Sequence, residues 1–207
     1  MLLSAARRTL CTARLRLQAG DLSPAAALAD FHRRNRAHLA PWDPPTPPEF
    51  FGVKAQAERI AQGLRAFDSG QALRWWLSPA DDPGRVIGSV HLSQISRGVS
   101  QSASLGYALD GALQGRGLMH EALQAALEEA FSPRVNLHRV QAGVRPENAR
   151  SLAVLSRLGF EDEGLAREYL FIDGAWRDHR LLALRNPGFQ APAHWLPSPS
   201  AEADTGR

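Results

Sequence analysis

A chain of 207 residues that is 44% hydrophobic, with a net charge of +3, holds enough apolar material for one sizeable core without crosslinks. Its single cysteine, Cys11, excludes an internal disulfide and a cysteine-rich zinc site and fits a reducing cytoplasm. The basic residues are almost all arginine, Lys54 being the one lysine, and form no stripe that marks a nucleic-acid surface; no apolar run approaches the ~18 residues of a membrane helix.

Arg7, Arg8, Arg14 and Arg16, with no acid among the first twenty residues, give a transit-peptide-like composition. The stretch "TARLRLQAG" nevertheless alternates Ala13, Leu15 and Leu17 with Arg14, Arg16 and Gln18, and this period of two predicts a first strand. Ser23 before Pro24 predicts a helix start, with the helix running to about Leu39. "APWDPPTPPE" is a stiff connection, and Thr46, Pro47 and Glu49 predict a capping box for a second helix that Gly70 ends. "QALRWWLSP" and "RVIGSVHLSQI" predict an antiparallel pair, with Val86, Gly88, Val90 and Leu92 on one face, followed by the strand "ASLGYALD".

A third long helix places Met119, Ala122, Leu123, Ala126, Leu127 and Ala130 on a buried face, opposite Glu121, Gln124, Glu128 and Glu129. The strand "HRVQAGV" comes next, then a helix capped by Asn148 and ended by Gly159, with Phe160 folding back on it. "EYLFIDGAWRDHRLLAL" predicts a hairpin around Asp173-Gly174. The order is strand, two helices, three strands, helix, strand, helix, two strands: one mixed α/β or α+β domain over residues 1–188. Residues 189–207, rich in proline and small residues, are expected to form a disordered tail.

"LQGRGLMHEAL" holds two glycines at the mouth of the third long helix. A helix N-terminus presents unpaired N–H groups and partial positive charge, so bare Cα positions there suit an approaching phosphate, with Arg116 beside it. The same glycines also serve a tight strand-to-helix turn. A Walker A loop is excluded by Leu118 and Met119 where lysine and a hydroxyl are required. A dinucleotide fingerprint is excluded by His120 in the place of the third glycine. His91, His120 and His138 lack metal-ligand spacing, so no metal is assigned.

"LGYALDGALQGRGLM", "HRVQAGVRPENARSLAVLSRLGFEDEG" and "EYLFIDGAWRDH", with "NRAHLAPWDP" upstream, resemble in order and spacing the GNAT superfamily of acetyltransferases, in particular its Rim-type ribosomal-protein-alanine N-acetyltransferases, over about residues 13–188. Met119 departs from the small residue that closes the superfamily signature. The resemblance implies a GNAT fold: a single mixed, mostly antiparallel sheet of about seven strands with about four helices, splayed in the middle to admit acetyl-CoA. It implies that acetyl-CoA is the co-substrate, that its arm pairs with the backbone of Tyr107, Ala108 and Leu109, and that its diphosphate lies on Gly115, Arg116, Gly117, Leu118, Met119 and His120, with Gln114 of the signature also binding the cofactor. A backbone N–H near Leu109 would stabilise the oxyanion.

Asn148 matches an asparagine that touches the cofactor arm and also reads as a plain helix cap. Ser151 matches a serine placed to hydrogen-bond the departing thiolate. Glu168 matches an acidic position that would serve as base or anchor a water relay; a solvated edge-strand carboxylate is the plain alternative. Leu155 and Gly143 stand where other branches carry their tyrosine acid and glutamate base, so those roles are not carried over. Trp42, Asp43 and Trp176 are candidates for the acceptor groove, with packing as the alternative for the tryptophans, and His179 belongs to the same matching string. The implied partner is the N-terminal amine of a protein; a small amine acceptor, or a cofactor-binding regulator without catalysis, stays open, as does the oligomeric state, a homodimer included.

Overall fold

In a computed structural model of the chain the described residues are 6–20 and 25–196; Ser23 and Pro24 and the end of the tail, 197–207, lie outside them. The expected first strand is a hairpin, β1 (Thr9–Cys11) and β2 (Leu15–Gln18), closed where the Thr12 N–H donates to the Leu15 carbonyl at 2.9 Å. The helix expected to reach Leu39 unbroken is two, α1 (Ala25–Arg34) and α2 (Arg36–Leu39). They part at Asn35, whose side-chain amide donates to the Phe31 carbonyl at 3.0 Å while its oxygen accepts the Gly111 N–H at 3.0 Å. Helical continuity is traded there for a tie to a distant loop.

The expected capping box is not made. Pro48–Phe51 is a turn of 3-10 helix, and Gly52, with no capping side chain, precedes α3 (Val53–Asp68). The proline run leaves Thr46 too early in the chain to reach the first turn of α3. Gly70, at φ +70°, does end the segment, its N–H bonding the Phe67 carbonyl at 3.1 Å.

The remaining elements follow the expected order: β3 (Leu73–Pro79), β4 (Gly88–Ser96), β5 (Ser102–Leu109), α4 (Leu118–Phe131), β6 (Arg139–Val144), α5 (Ala149–Arg157), β7 (Glu161–Ile172) and β8 (Ala175–Arg185). The eight strands form one sheet in the order β1-β2-β3-β4-β5-β6-β8-β7, antiparallel throughout except between β5 and β6. The expected count falls one strand short because β1 is only three residues long and polar alternation does not distinguish it from its turn. β7 is an edge strand, and its pairing with β8 slips at Asp162/Gly164 and again at Ala166/Leu170.

Alternation along β3 divides the interior. Trp75 and Leu77 face the larger core, where Leu15, Leu17, Val90 and Leu92 of the sheet meet Leu123 and Ala126 of α4 and Leu155 of α5. Trp76 faces a smaller core with Leu28 and Phe31 of α1, Leu39 and Val86. Val86 therefore does not share a face with Val90. It precedes β4, and the chain turns over between it and Ile87, which joins the larger core and bonds the Leu77 carbonyl at 2.8 Å. None of the described helices is long and apolar enough to cross a membrane.

The face of α4 expected to be polar contains one exception: Glu129 is fully buried. Its carboxylate accepts from the Arg7 N–H at 2.7 Å, Arg7 Nε at 2.8 Å and Arg134 Nη2 at 3.1 Å. Burial pushes its pKa up, and the hydrogen bonds of Arg134 and Arg7 outweigh burial and hold it below the ordinary value of 4.5. A carboxylate depressed by folding stabilises above its unfolded pKa, and this stabilisation is lost as pH falls through the folded value. Glu129→Gln is therefore expected to cost about 1.5–3 kcal/mol at pH 7 and clearly less at pH 3, measured by urea unfolding; an equal cost at both pH values would contradict this account.

Candidate active site

β5 and β6 are hydrogen-bonded neighbours for only three residue pairs, Ser102–Ser104 against Arg139–Gln141. Beyond these the strands diverge. β5 stays paired to β4 up to Leu109, and β6 stays paired to β8 up to Val144, so the two backbones face each other across an open slit. The slit is the centre of a cavity of about 1510 Å³, walled by Leu105, Gly106, Tyr107, Ala108 and Leu109 on one side and Ala142, Gly143 and Val144 on the other.

The far end of β5 is pulled away by buried Asp110. Its N–H bonds the Ile87 carbonyl at 2.8 Å, and its carboxylate accepts from Arg34 Nε at 2.9 Å and the Ala112 N–H at 3.2 Å. Arg34 also donates to the Val86 carbonyl and to Asp30, so one guanidinium ties α1, the β3–β4 connection and the end of β5 together.

The glycine loop follows. Gly115 and Gly117 both lie at φ +75°, a conformation costly for any residue with a Cβ. An added Cβ at Gly115 would meet nothing within 4 Å, so the requirement there is backbone conformation and not crowding. α4 begins at Leu118 and its first carbonyl partner is Gly117, reached by the Glu121 N–H at 3.1 Å, which leaves the N–H groups of Leu118, Met119 and His120 without helical partners at the cavity wall. Arg14, in the β1–β2 turn, clamps this loop by donating to the Arg116 carbonyl at 2.9 Å and to Glu121 at 2.6 Å.

On α5, Asn148 caps the helix by accepting the Ser151 N–H at 3.1 Å, and the Ser151 hydroxyl lies 2.6 Å from that of Tyr107. Burial pushes the Tyr107 phenol up to about 12, more than the Ser151 bond lowers it, so Tyr107 remains a hydrogen-bond donor at neutral pH. Gln114 donates to His38 Nε2 at 3.1 Å and accepts from Arg150 at 2.7 Å, which places the ring proton of His38 on Nδ1 when it is neutral. Arg145, at the end of β6, lies 5.4 Å from the Trp42 ring and donates to the Pro41 carbonyl at 2.6 Å, fixing the proline-rich loop over the cavity.

Of the residues singled out from sequence, Trp42, Asp43, Tyr107, Ala108, Leu109, Gln114, Gly115, Gly117, Leu118, Met119, His120, Asn148 and Ser151 all line the one cavity. Arg116, Glu168 and Trp176 do not. The Arg116 guanidinium reaches only back to the Ala112 carbonyl, at 3.5 Å. Glu168 sits exposed at φ +47° in the second slip of β7, its N–H bonded to Asp178 at 2.8 Å. Trp176 is 60% exposed and packs edge-on against Phe171. Sequence reading missed Arg14, Arg145 and Arg150, whose partners are far along the chain, and His91. The His91 ring occupies the space over Gly106, where a Cβ would sit 2.4 Å from it.

An acetyltransferase (GNAT) domain model matches residues 14–161. The [Ribosomal protein uS5]-alanine N-acetyltransferase of Escherichia coli (strain K12) is 38% identical over 160 residues, 77% of this chain and 81% of that protein. The ribosomal-protein-S5-alanine acetyltransferase from Vibrio fischeri superposes with a TM-score of 0.83 at 32% identity, covering 88% of this chain and 99% of that one. Mycobacterium smegmatis RimJ, solved in complex with CoA-disulfide, gives a TM-score of 0.77 at 32% identity, covering 88% and 84%.

Burial, reinforced by Arg74 and Arg59, pushes the His91 imidazole down to about 4; burial and the same two arginines, Arg59 first, do likewise for His32. Both rings are neutral at pH 7. A histidine whose folded pKa lies below its unfolded value of 6.5 takes up a proton on unfolding between these values, so stability falls as pH drops from 6.5 toward 4. NMR of the imidazole carbons is expected to show neither ring titrating above pH 5. Titration of His91 near 6.5 would show that the cluster is open to water.

Proposed function

The chain belongs to the GNAT acetyltransferase family, and from that premise we propose that it transfers the acetyl group of acetyl-CoA to the N-terminal α-amine of a protein, with a ribosomal protein as the acceptor class, by direct attack within a ternary complex. The observation that carries the donor half is the slit: backbone on both banks without a strand partner, ending at a glycine loop with free N–H groups. An amide-bearing arm fits such a slot as an added strand would, and a diphosphate fits the loop. Arg14, Arg150 and Arg157 on the wall supply positive charge near it.

Acetyl-CoA brings an acetyl group activated as a thioester; everything else falls to the chain. Slit-facing N–H groups of residues 105–109 polarise the carbonyl. With Tyr107 as the donor of the hydroxyl pair, the Ser151 hydroxyl is left to donate its own proton toward the departing sulfur. A thiol with a pKa of about 8.5 leaves readily near neutrality, so this bond assists without having to transfer a proton.

On the acceptor side, Trp42 walls the groove and Asp43 receives the amine. Burial raises the pKa of Asp43, and its carboxylate has no hydrogen-bond partner among the described residues. A protein α-amine, with a pKa of about 7.7–8.0, is partly neutral at physiological pH, whereas a lysine at about 10.4 is not. A weak proton acceptor therefore suffices. Glu168, two residues before the cavity-lining Leu170, is assigned the outer end of a water relay, and exposed Trp176 a contact with the body of the acceptor protein.

Purified protein with acetyl-CoA is expected to acetylate peptides that begin with Ala or Ser at their α-amine, read by mass spectrometry, in preference to polyamines and aminoglycosides. Acetylation of the small amines alone would reject the acceptor. Ser151→Ala is expected to lower kcat about tenfold with little change in KM for acetyl-CoA. Glu168→Gln should flatten the rise of kcat between pH 6 and 9; an unaltered profile removes Glu168 from the relay.

A further inference from the structure

A second cavity, of about 390 Å³, adjoins the first and shares Leu39, Asp43 and Pro44 with it. Its wall carries two phenylalanine rings, the guanidinium of Arg36 and the carboxylates of Asp43 and Asp173; Arg59 is packed on Phe50, outside the wall itself. Phe50 and Phe51, from the turn before α3, stand with ring centroids 5.3 Å apart at 82°. The Arg59 guanidinium carbon lies 4.5 Å from the Phe50 centroid, and that of Arg36 lies 4.7 Å from the Phe51 centroid. Each ring thus carries one guanidinium, held in place by its face.

These guanidiniums are short of acceptors. Arg59 commits only Nη1, to His32 Nε2 at 3.1 Å and Gln56 Oε1 at 3.0 Å, and Arg36 commits no donor to any described residue. No described carboxylate lies within 4.0 Å of Arg36, Arg59 or the neighbouring Arg74. Asp173 on the rim is engaged by Arg177 at 3.2 Å, and Asp43 stands beyond ion-pair distance. Burial, with the neighbouring charge of Arg74, lowers the pKa of Arg59 to about 10 against a smaller opposing effect of Asp43, and burial acts in the same direction on Arg74. An anion would supply a counter-charge.

With the acceptor amine at Asp43, as proposed above, the atoms that follow it lead into this second cavity. We propose that the second cavity is a carboxylate subsite, in which Arg36 on its wall, supported by the positive charge of Arg59 packed on Phe50, receives an acidic group tethered to the acceptor amine, so that the enzyme selects acceptors with an acidic leading segment and disfavours basic ones. The carboxylate can come from an Asp or Glu side chain near a protein N-terminus or from the α-carboxylate of a free short peptide; the guanidinium fork fits both.

The test is a panel of Ala-initiated hexapeptide amides carrying Glu, Gln or Lys at positions two to four, together with Ala dipeptides with free and amidated C-termini, assayed with saturating acetyl-CoA. The Glu peptides, the free-acid dipeptide, or both are expected to show kcat/KM about tenfold above their neutral counterparts, the Lys peptides lowest, with the ratio shrinking in added salt. In Arg36→Gln and Arg59→Gln the acidic-to-neutral ratio should fall toward one. Arg36 is exposed, so its variant reports even if Arg59→Gln folds poorly. Equal rates across the panel, or a ratio unchanged in Arg36→Gln, overturns the subsite. Failure of every peptide to react while a small amine reacts would reject the protein-acceptor reading; in that case the subsite is tested with free amino acids against their amides, and equal rates overturn it.

Discussion

The pairing of β5 with β6 stops after three residues, and the rest of the molecule is arranged around that interruption. An unpaired strand edge inside a protein leaves backbone donors and acceptors without partners, which is tolerated only where water or a ligand meets them. Separate ties hold the banks apart. Asp110 is drawn by Arg34 toward α1 and the β3–β4 connection, while Arg145, just past the end of β6, is anchored to the proline-rich loop. Arg14 fixes the glycine loop that closes the end of the opening. Each tie joins segments more than fifty residues apart, so the opening belongs to the tertiary fold and not to any one motif.

Charge is distributed accordingly. Carboxylates that tie elements together, Glu121, Glu129 and Asp110, are held below their ordinary pKa because hydrogen bonds outweigh burial. On the side of the sheet covered by α1 and α3 the balance reverses. His32, His91, Arg59 and Arg74 are all pushed toward their neutral forms, by burial first and by neighbouring positive charge for all but Arg74. The first group stabilises the scaffold. The second costs stability.

Much of this was legible in the sequence where the signal is local. The buried face of α4, the Asn148 cap, the Gly159 terminus and the Asp173-Gly174 turn each follow from a few neighbouring residues. The cavity wall was legible too, because a glycine-bracketed helix start and a matching string of segments mark it. What was not legible depends on partners far away. Glu129 looks like surface until Arg7 and Arg134 arrive, and Val86 looks like its strand neighbours until the chain turns over at Ile87. Thr46 and Glu49 have the spacing of a cap, but the prolines between them impose a 3-10 turn. Glu168 and Leu170 are two apart and would share a face in a regular strand; the slip in β7 sends them to different surroundings, a change no residue pattern announces.

That slip has a consequence of its own. A twelve-residue strand at the margin of a sheet is a template on which another chain can add itself and start an aggregate. β7 is spoiled for that purpose by its two register breaks, by Gly164 at φ +130° and by a run of exposed charge from Glu161 to Glu163. The irregular outline works against the addition of a second chain along that edge.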